Sequence, residues 1–459
     1  MRARGIARQR SGIMTTIQTP NADAAAQFIS TAQGRNYPAE VVEAARMALV
    51  DTIGVALGAH SEGAGQSVRR VAGNWGASGE AQILMGGRSA PAVAALVNAT
   101  LGHCLDYDDT HVGAVAHLGN PTWATAIAVG QQVGASDREI LGAFITGFEV
   151  GARLGGGGLG HTLNERGFHS TGMFGCFASA TAAAVLLGLD EEGIRNALGA
   201  AATQAAGLTA SFGTMSKPFH AGKAAMNGIL AAELAKEGFE AAQNLIEAKS
   251  GFASAYVQDG SKVPALLDFD GSMEITRNTL KPYASCLLTH PVIDAARALA
   301  EAAKDNDVAE IAVEVNPICI QLAGKPQPQT GLEGKFSTAY CAALGLTGHM
   351  VTAQDFAEDR VADPTVRSLL DKVTLTPAPD MHMTAAKLRL RLTDGTEIDQ
   401  ETPLALGNPG NPMDWDDMAG KFMPLAEPVI GDDAQALYDL LRGFGDDDRM
   451  DSIREIVGQ

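Results

Sequence analysis

Apolar residues in the first half of the chain recur at helical spacing, in alanine-rich segments separated by glycine-bearing turns. In 38–58, Val41, Ala45 and Ala48 fall on one face of a helix. Pro38 suits the first position of that helix, where its missing N–H costs nothing. The same reasoning predicts helices over 21–33, 38–58, 65–74, 90–104, 121–134, 137–153, 171–187, 191–206 and 221–236.

The pattern changes near residue 270. Residues 308–315 alternate between apolar and polar, as a half-buried strand does, and the apolar run 318–322 is a candidate partner strand. Asp394-Gly395 is a dipeptide typical of a hairpin turn. Further strands are predicted over 372–376, 386–392 and 397–401, with helices over 291–304, 335–346, 364–370, 434–442 and 452–456.

These elements predict a mainly α protein with two domains. A large all-α helical domain comprises 14–271 and 405–459, and a smaller α+β domain, 272–404, is inserted before the C-terminal helices. A chain of 459 residues exceeds the usual limit for a single hydrophobic core, which supports this division. Residues 1–13 contain four arginines and lack the apolar core of a secretory signal, so they are predicted to form a disordered basic tail.

The formal charge of −19 repels nucleic acid and anionic membranes, so neither is an expected partner. An acidic substrate would need lysines or arginines to converge locally against that overall field. No run of about 18 uncharged apolar residues suggests a membrane span. Five widely spaced cysteines without a CxxC pair argue against a disulfide framework and favour the reducing cytoplasm.

Residues 102–121 hold the densest group of chemically active side chains. They contain three of the ten histidines together with Asp106, Asp108 and Asp109. Histidine and aspartate transfer protons near neutral pH, so an active-site loop is one interpretation. The alternative is a polar loop whose aspartates cap a helix.

Four more segments place polar residues beside a predicted helix start. His169 precedes an apolar helix, and Lys217 and His220 precede another. Lys217 could share a bound carboxylate with the helix amides, because a helix N-terminus attracts anions. The structural alternatives are a satisfied core histidine, a solvated loop lysine and, for Tyr340, a core tyrosine. Lys281 lies in a similar polar turn.

A glycine pattern at Gly155, Gly157 and Gly160 matches the dinucleotide-binding fingerprint, but the preceding segment is predicted to be helical rather than a strand. Nucleotide binding is therefore not expected. Neither a Walker motif nor a GxSxG nucleophile elbow occurs in the sequence.

Taken together, five segments resemble the MmgE/PrpD family over nearly the whole chain from about residue 22. The resemblance implies a large all-α domain, a smaller inserted α+β domain and a homodimer. It also implies cofactor-free chemistry on small di- or tricarboxylates. The segments are His103-Cys-Leu-Asp-Tyr-Asp-Asp-Thr110, Gly167-Phe-His-Ser-Thr-Gly172, Ser216-Lys-Pro-Phe-His-Ala-Gly222, Leu280-Lys-Pro-Tyr-Ala and Lys335-Phe-Ser-Thr-Ala-Tyr340.

Carried over residue by residue, the site resembles that of the decarboxylases in this family. Leu-Gly-Asn-Pro follows His117 where those enzymes have Pro-Ser-Gly, so the identity of the carboxylate stays open. No metal ligand is assigned. The implied catalytic residues are Asp106, Thr110, His117, His169 and Tyr340, and the substrate-binding candidates are Lys217, Lys281, His103 and His220.

The residue chemistry is consistent with that resemblance. Removing a proton from a carbon beside a carboxylate requires a base with a pKa near 7 and cations to hold the growing negative charge. His117 and His169 would supply the base and the acid, and the lysines would supply the cations. We therefore predict a cofactor-independent lyase of the dehydratase or decarboxylase type, in which a small polycarboxylate is the substrate. The alternative is an epimerase of an amino- or iminodicarboxylate.

Two hypotheses of other classes remain. A metal-dependent hydrolase would use His103, His111, His117 and the three aspartates as ligands. A helical binding or scaffold protein would not require histidines and lysines to converge. The lyase hypothesis predicts that His117, His169, Lys217 and Lys281 line one pocket near the domain junction.

Overall fold

The computed structural model describes residues 20–258, 266–304 and 307–458, and the predicted basic tail lies outside them. Within the described residues the chain is mainly helical, as predicted. None of the described helices is both long and apolar enough to cross a membrane. The helical part begins with α1 (Pro20–Ser30), α2 (Ala39–Gly58), α3 (Gly63–Trp75), α4 (Pro91–Cys104), α5 (Gly119–Val133), α6 (Asp137–Gly155), α7 (Leu159–Glu165), α8 (Ser170–Leu186), α9 (Glu191–Ala202), α10 (Ser216–Lys236) and α11 (Phe252–Val257).

A short antiparallel pair, β1 (Ala81–Gln82) and β2 (Arg88–Ser89), lies between α3 and α4. The α+β part follows, and three helices then end the chain. The elements of the α+β part are α12 (His290–Ala298), α13 (Ala300–Lys304), β3 (Val308–Val315), α14 (Pro317–Ala323), α15 (Gly331–Gly334), α16 (Thr338–Leu346), α17 (Glu358–Val361), α18 (Pro364–Leu370), β4 (Val373–Pro377), β5 (Ala386–Leu392) and β6 (Glu397–Thr402). The last helices are α19 (Trp415–Ile430), α20 (Asp433–Arg442) and α21 (Met450–Val457).

The α+β part is built on a four-stranded sheet in the order β4-β3-β5-β6. Strand β3 is parallel to β4 and antiparallel to β5, and β5 pairs with β6 as a hairpin. Leu388 and Leu390 of β5 are fully buried, whereas the intervening Arg389 is exposed and pairs with Asp399. Gly395 adopts φ +89° at the hairpin turn, a conformation that glycine reaches without strain. The strands predicted over 308–315, 372–376, 386–392 and 397–401 and the hairpin are thus confirmed.

One predicted strand is wrong. Residues 318–322 belong to helix α14 rather than to a partner of β3. Pro317 occupies the first helical turn, and the side chain of Asn316 accepts a hydrogen bond from the backbone N–H of Ile318. These two residues are a helix-start signal that outweighs the short apolar run.

Close packing between helices explains the high content of small residues. At Gly222 of α10, an added Cβ would lie 2.4 Å from the carbonyl oxygen of Leu96 in α4. At Gly228 it would lie 2.4 Å from the Cβ of Ser179 in α8. Helix α10 can therefore contact both neighbours only because these positions lack a side chain.

The C-terminal helices return to the beginning of the chain, where α19 packs against α2. An added Cβ at Gly54 would lie 2.8 Å from the ring of Phe422, so the two helices meet closely there. Beside this contact, Lys421 of α19 forms a buried ion pair with Asp51 of α2. The Lys421 ammonium also donates to the carbonyl oxygens of Tyr107 at 2.7 Å and Lys281 at 2.8 Å. One lysine thus joins α19, α2 and the two loops that carry the candidate site.

Candidate active site

The loop between α4 and α5 carries the histidine- and aspartate-rich segment. Asp106 adopts φ +54°, in the left-handed region that aspartate tolerates better than most residues. Its carbonyl oxygen accepts a hydrogen bond from Lys281 Nζ at 2.8 Å. The backbones of Thr110 and Thr279 exchange hydrogen bonds of 2.8 and 2.9 Å. These contacts hold the loop against the segment before α12.

Asp106 lies at the centre of a group of cations. Its Oδ1 accepts hydrogen bonds from Lys217 Nζ at 2.6 Å and Lys281 Nζ at 3.1 Å, and lies 3.9 Å from His117 Nε2. Burial raises the pKa of the Asp106 carboxyl, but Lys217 and Lys281 outweigh burial and hold that pKa well below its usual range. Asp106 is therefore a carboxylate that places two ammonium groups side by side.

A second carboxylate, Asp108, lies fully buried between two imidazoles. Its oxygens lie 2.8 Å from His103 Nδ1 and 3.3 Å from His117 Nδ1. Burial raises the pKa of Asp108, but the two histidines hold it well below its usual range. Because a carboxylate only accepts hydrogen bonds, Nδ1 of His103 carries the proton and Nε2 offers its lone pair. That Nε2 is buried and has no hydrogen-bond partner among the described residues.

Two further imidazoles extend the cluster. The rings of His103 and His169 stack with centroids 5.7 Å apart, and those of His103 and His117 meet edge to face at 4.6 Å. Behind them, His169 Nδ1 and His220 Nδ1 lie 3.0 Å apart. Burial lowers the pKa of His169 well below its usual range, and that of His220 to about 4. Both are neutral at pH 7, so one ring donates its Nδ1 proton to the other.

A cavity of about 530 Å³ opens in front of this cluster. Residues of the helical part form one side and residues of the α+β part form the other. Its lining includes Gly58, Glu62, Ala64, His103, Leu105, Asp106, Gly213, Met215, Lys217, Leu332, Lys335, Phe336, Gln354 and Phe356. The cavity is large enough for a small polycarboxylate, and its chemically active residues are an imidazole, two carboxylates and two ammonium groups.

The residues predicted from sequence differ in how the structure uses them. His103, Asp106, His117, His169, Lys217 and Lys281 come together. Of the four residues predicted to line one pocket, Lys217 lines the cavity, whereas His117, His169 and Lys281 are not part of its lining. His220, Thr110 and Tyr340 lie outside this group. Nδ1 of His220 contacts His169, so the ring is placed behind the cluster. The Thr110 hydroxyl is buried without a hydrogen-bond partner among the described residues. The Tyr340 hydroxyl donates to the carbonyl oxygen of Asp355 at 3.0 Å, and burial raises its pKa.

Two residues of the site were not assigned a role from sequence. Asp108 orients His103 and His117, and the spacing of five between His103 and Asp108 lies inside the segment already singled out. Lys335 lines the cavity from the α+β part and begins the last of the five resembling segments. Both therefore stood in recognised motifs. Asp108 contacts histidines of its own segment, whereas Lys335 contacts Leu105, which only the folded chain brings near.

The hydrolase hypothesis needs a ligand set that the structure only partly assembles. One donor atom each from His103, Asp108 and His117 lie within 4.8 Å of one another, close enough for a metal ion. His111, however, lies 3.0 Å from Glu274 through Nε2, and its Nδ1 accepts a hydrogen bond from the backbone N–H of Ala114. His111 is thus used to hold the loop and does not join the other two histidines.

The buried imidazoles predict how the stability of the fold depends on pH. Burial lowers the pKa of His103 and of His220 to about 4, whereas both titrate near 6.5 in the unfolded chain. Below pH 6.5 these two side chains bind more protons in the unfolded chain than in the folded one. These two histidines therefore contribute a free energy of unfolding that decreases as the pH falls from about 6.5 to about 4, whereas Asp109, whose pKa burial raises to about 8, contributes in the opposite direction over the same range.

The carboxylates of Asp106 and Asp108 have depressed pKa values, so their contribution to stability is lost only below about pH 4. The two effects therefore occupy separate pH ranges. His103→Asn should reduce the decrease between pH 6.5 and 4. An equal change in the free energy of unfolding of the wild type and His103→Asn over that range, measured by urea titration, would contradict this account of His103.

The two parts of the chain match the two domains of one enzyme family. The family model described as MmgE/PrpD N-terminal domain matches residues 23–264, and that of the MmgE/PrpD C-terminal domain matches residues 283–442. The chain therefore belongs to the MmgE/PrpD family, as the resemblance implied, and it is an enzyme of the lyase class.

Curated relatives carry one activity in their names. Human cis-aconitate decarboxylase is 28% identical over 382 residues, which cover 78% of each chain. The cis-aconitate decarboxylase of Aspergillus terreus is 27% identical over 455 residues, covering 92% of each chain. The mouse cis-aconitate decarboxylase is 28% identical over 364 residues, which cover 75% of this chain and 73% of the relative. These matches support a lyase of the dehydratase or decarboxylase type.

Proposed function

We propose that this enzyme acts on a small di- or tricarboxylate without a cofactor, and that it catalyses decarboxylation of an unsaturated tricarboxylate of the cis-aconitate kind. The observation that carries the proposal is the convergence of two lysine ammonium groups and the His103 imidazole on one cavity, in a chain of net charge −19. Cations concentrated against the overall field are what an anionic substrate requires. The names of the relatives favour decarboxylation over dehydration.

The reaction needs a proton at carbon and a place for negative charge. As the C–C bond to one carboxylate breaks, its electron pair moves through the adjacent double bond to the carbon beside a second carboxylate. That carbon gains a proton from an imidazolium, and CO2 leaves. Negative charge develops on the second carboxylate during this step, so an ammonium group beside it stabilises the transition state. Lys217 lines the cavity and supplies that charge.

Three histidines can take part in proton transfer. His117 lies between Asp106 and Asp108, with its Nε2 3.9 Å from an oxygen of the first and its Nδ1 3.3 Å from an oxygen of the second. His103 lines the cavity with an unpartnered Nε2, which can take up a proton and then donate it to the substrate carbon. His169 stacks on His103 and is oriented by His220. We assign the transfer at carbon to His117 and His103, with His169 as the second acid or base. Asp106 would hold the ammonium groups beside them.

A substrate screen tests the proposal. The purified enzyme is incubated in D₂O with cis-aconitate, methylcitrate, citrate or iminodisuccinate, and CO2 release and proton NMR spectra are recorded. We expect cis-aconitate to lose CO2 and the unsaturated diacid product to carry one deuterium. Loss of water from methylcitrate or citrate would instead assign a dehydratase. Deuterium exchange into iminodisuccinate with neither loss would assign an epimerase. Absence of turnover and of exchange with all four would contradict a polycarboxylate enzyme.

A further inference from the structure

Lys335 is a cation in the cavity that has no carboxylate partner among the residues that the structure describes. Lys217 and Lys281 both contact Asp106, whereas the Lys335 ammonium donates to the carbonyl oxygen of Leu105 at 2.7 Å. No carboxylate of the described residues lies within ion-pair distance of it. An ammonium group has three N–H donors, so two remain available.

The surroundings of Lys335 increase the free-energy cost of leaving its ammonium group without an anionic partner. Lys335 is half-buried, and its ammonium lies 5.8 Å from the centre of the Phe356 ring. Burial lowers the pKa of Lys335 to about 8, against the opposing influence of Asp106 and Glu62. A partly desolvated ammonium that keeps free donors gains more from an incoming anion than a solvated surface lysine does.

The position of Lys335 is complementary to that of Lys217. Both line the same cavity, but Lys217 is on α10 of the helical part and Lys335 follows α15 of the α+β part. The imidazoles lie on the Lys217 side, since His103 contacts His117 and His169 there. A molecule with two carboxylates can therefore place one beside Lys217 and the imidazoles and the other beside Lys335.

We propose that Lys335 binds the substrate carboxylate remote from the reacting carbon, so that the enzyme selects substrates with a second carboxylate. This inference rests on the proposed function, because it takes the anionic guest of the cavity to be a polycarboxylate. In this proposal Lys335 is a residue that determines specificity. The bound substrate contacts both the helical part and the α+β part of the chain. Lys335 does not transfer protons in this scheme.

The test compares two ligands that differ in one charge. Glutarate has two carboxylates, and glutaramate has a neutral amide in place of one. Dissociation constants are measured by NMR titration for the wild type, Lys335→Met and Lys335→Arg, with Lys325→Met as control. Lys325 belongs to the same part of the chain but is exposed and paired with Glu333 at 2.8 Å.

We expect the wild type and Lys325→Met to prefer glutarate at pH 7 by about tenfold or more, in line with the value of a charge-assisted contact. Lys335→Met should lose most of that preference, and Lys335→Arg should keep it. An unchanged preference in Lys335→Met, or equal weakening of both ligands, would overturn the inference. Failure of the wild type to bind either ligand, or citrate added as a reference, would overturn it together with the proposed function.

Measuring the preference for glutarate at several pH values tests whether it depends on the charge of Lys335 or on a structural effect of the substitution. The Lys335 ammonium is protonated below a pKa of about 8 and neutral above it, so the wild-type preference for glutarate should decrease as the pH rises from 7 to 9.5. The charged groups facing it are Asp106, Glu62, Lys217 and Lys281. Lys335→Arg should keep its preference over this range, because guanidinium stays charged. A preference that decreases equally in Lys335→Arg would contradict the role of Lys335.

Discussion

Lys217→Ala is expected to lower kcat/KM by about 10²- to 10³-fold, the loss that accompanies removal of one group stabilising transition-state charge. Lys217 lines the cavity, and its ammonium lies 2.6 Å from Asp106 and 5.3 Å from the centre of the Phe212 ring. Its removal takes away a cation where negative charge develops. Asp106 keeps Lys281 as a partner, so the fold should lose little stability. Steady-state kinetics on the substrate found by the screen, together with thermal unfolding, measure the two effects.

The matched control is Lys236→Ala, at the other end of the same helix. It removes the same charge from α10 far along the helix from the cavity, so kcat/KM should stay close to the wild-type value. Full activity in Lys217→Ala would refute the assigned role. A large loss of stability in Lys217→Ala would mean that Lys217 is mainly structural.

The largest loss of stability is expected from Lys421→Met. Lys421 is buried, pairs with Asp51 and donates to two carbonyl oxygens, so methionine leaves an unpaired carboxylate and two unsatisfied acceptors in the interior. Breaking one partner of a buried ion pair costs about 3–5 kcal/mol of unfolding free energy. Asp51 also accepts the backbone N–H of Asp109 at 2.9 Å, so the active-site loop loses support as well. Urea unfolding monitored by circular dichroism measures the loss.

Two controls separate the buried charge from a general effect of lysine removal. In the double variant Asp51→Asn with Lys421→Met, the uncompensated carboxylate is gone, so the loss should be smaller than the sum of the two single losses. Arg389→Ala breaks an exposed pair with Asp399 in the sheet and should cost far less. Additive single losses would show that Asp51 and Lys421 do not act as a pair.

The fold class follows from local patterns. Helical spacing of apolar residues, proline at helix starts and a glycine-bearing hairpin turn each act within a few residues, so they can be read from the sequence alone. The exception, 318–322, is a five-residue apolar run that suits a short strand or a short helix equally. The helix-start signal at Asn316 and Pro317 distinguishes the helix from the strand. The spacing of apolar residues in 318–322 does not.

The sequence also indicated which segments come together at the candidate site. Clustered histidines and aspartates, polar turns beside predicted helix starts and the resemblance to the MmgE/PrpD family pointed to His103, Asp106, His117, His169, Lys217 and Lys281, which the structure brings together. Lys217, predicted to precede the helix, lies in the first turn of α10. An acidic chain that binds an acidic substrate needs a local excess of cations, so the lysines among these residues are expected to lie close together.

Only the tertiary structure decided which of these side chains face each other. Lys335 reaches the carbonyl of a residue 230 positions away, and Lys421 reaches one 314 positions away. The His111 ring contacts Glu274, although His111 lies in the same segment as His103 and His117. Hydrogen-bond partners and burial at such separations depend on how the helical and α+β parts pack. A pattern along the chain therefore identifies the reactive residues, whereas packing sets their protonation, their orientation and the cavity between them.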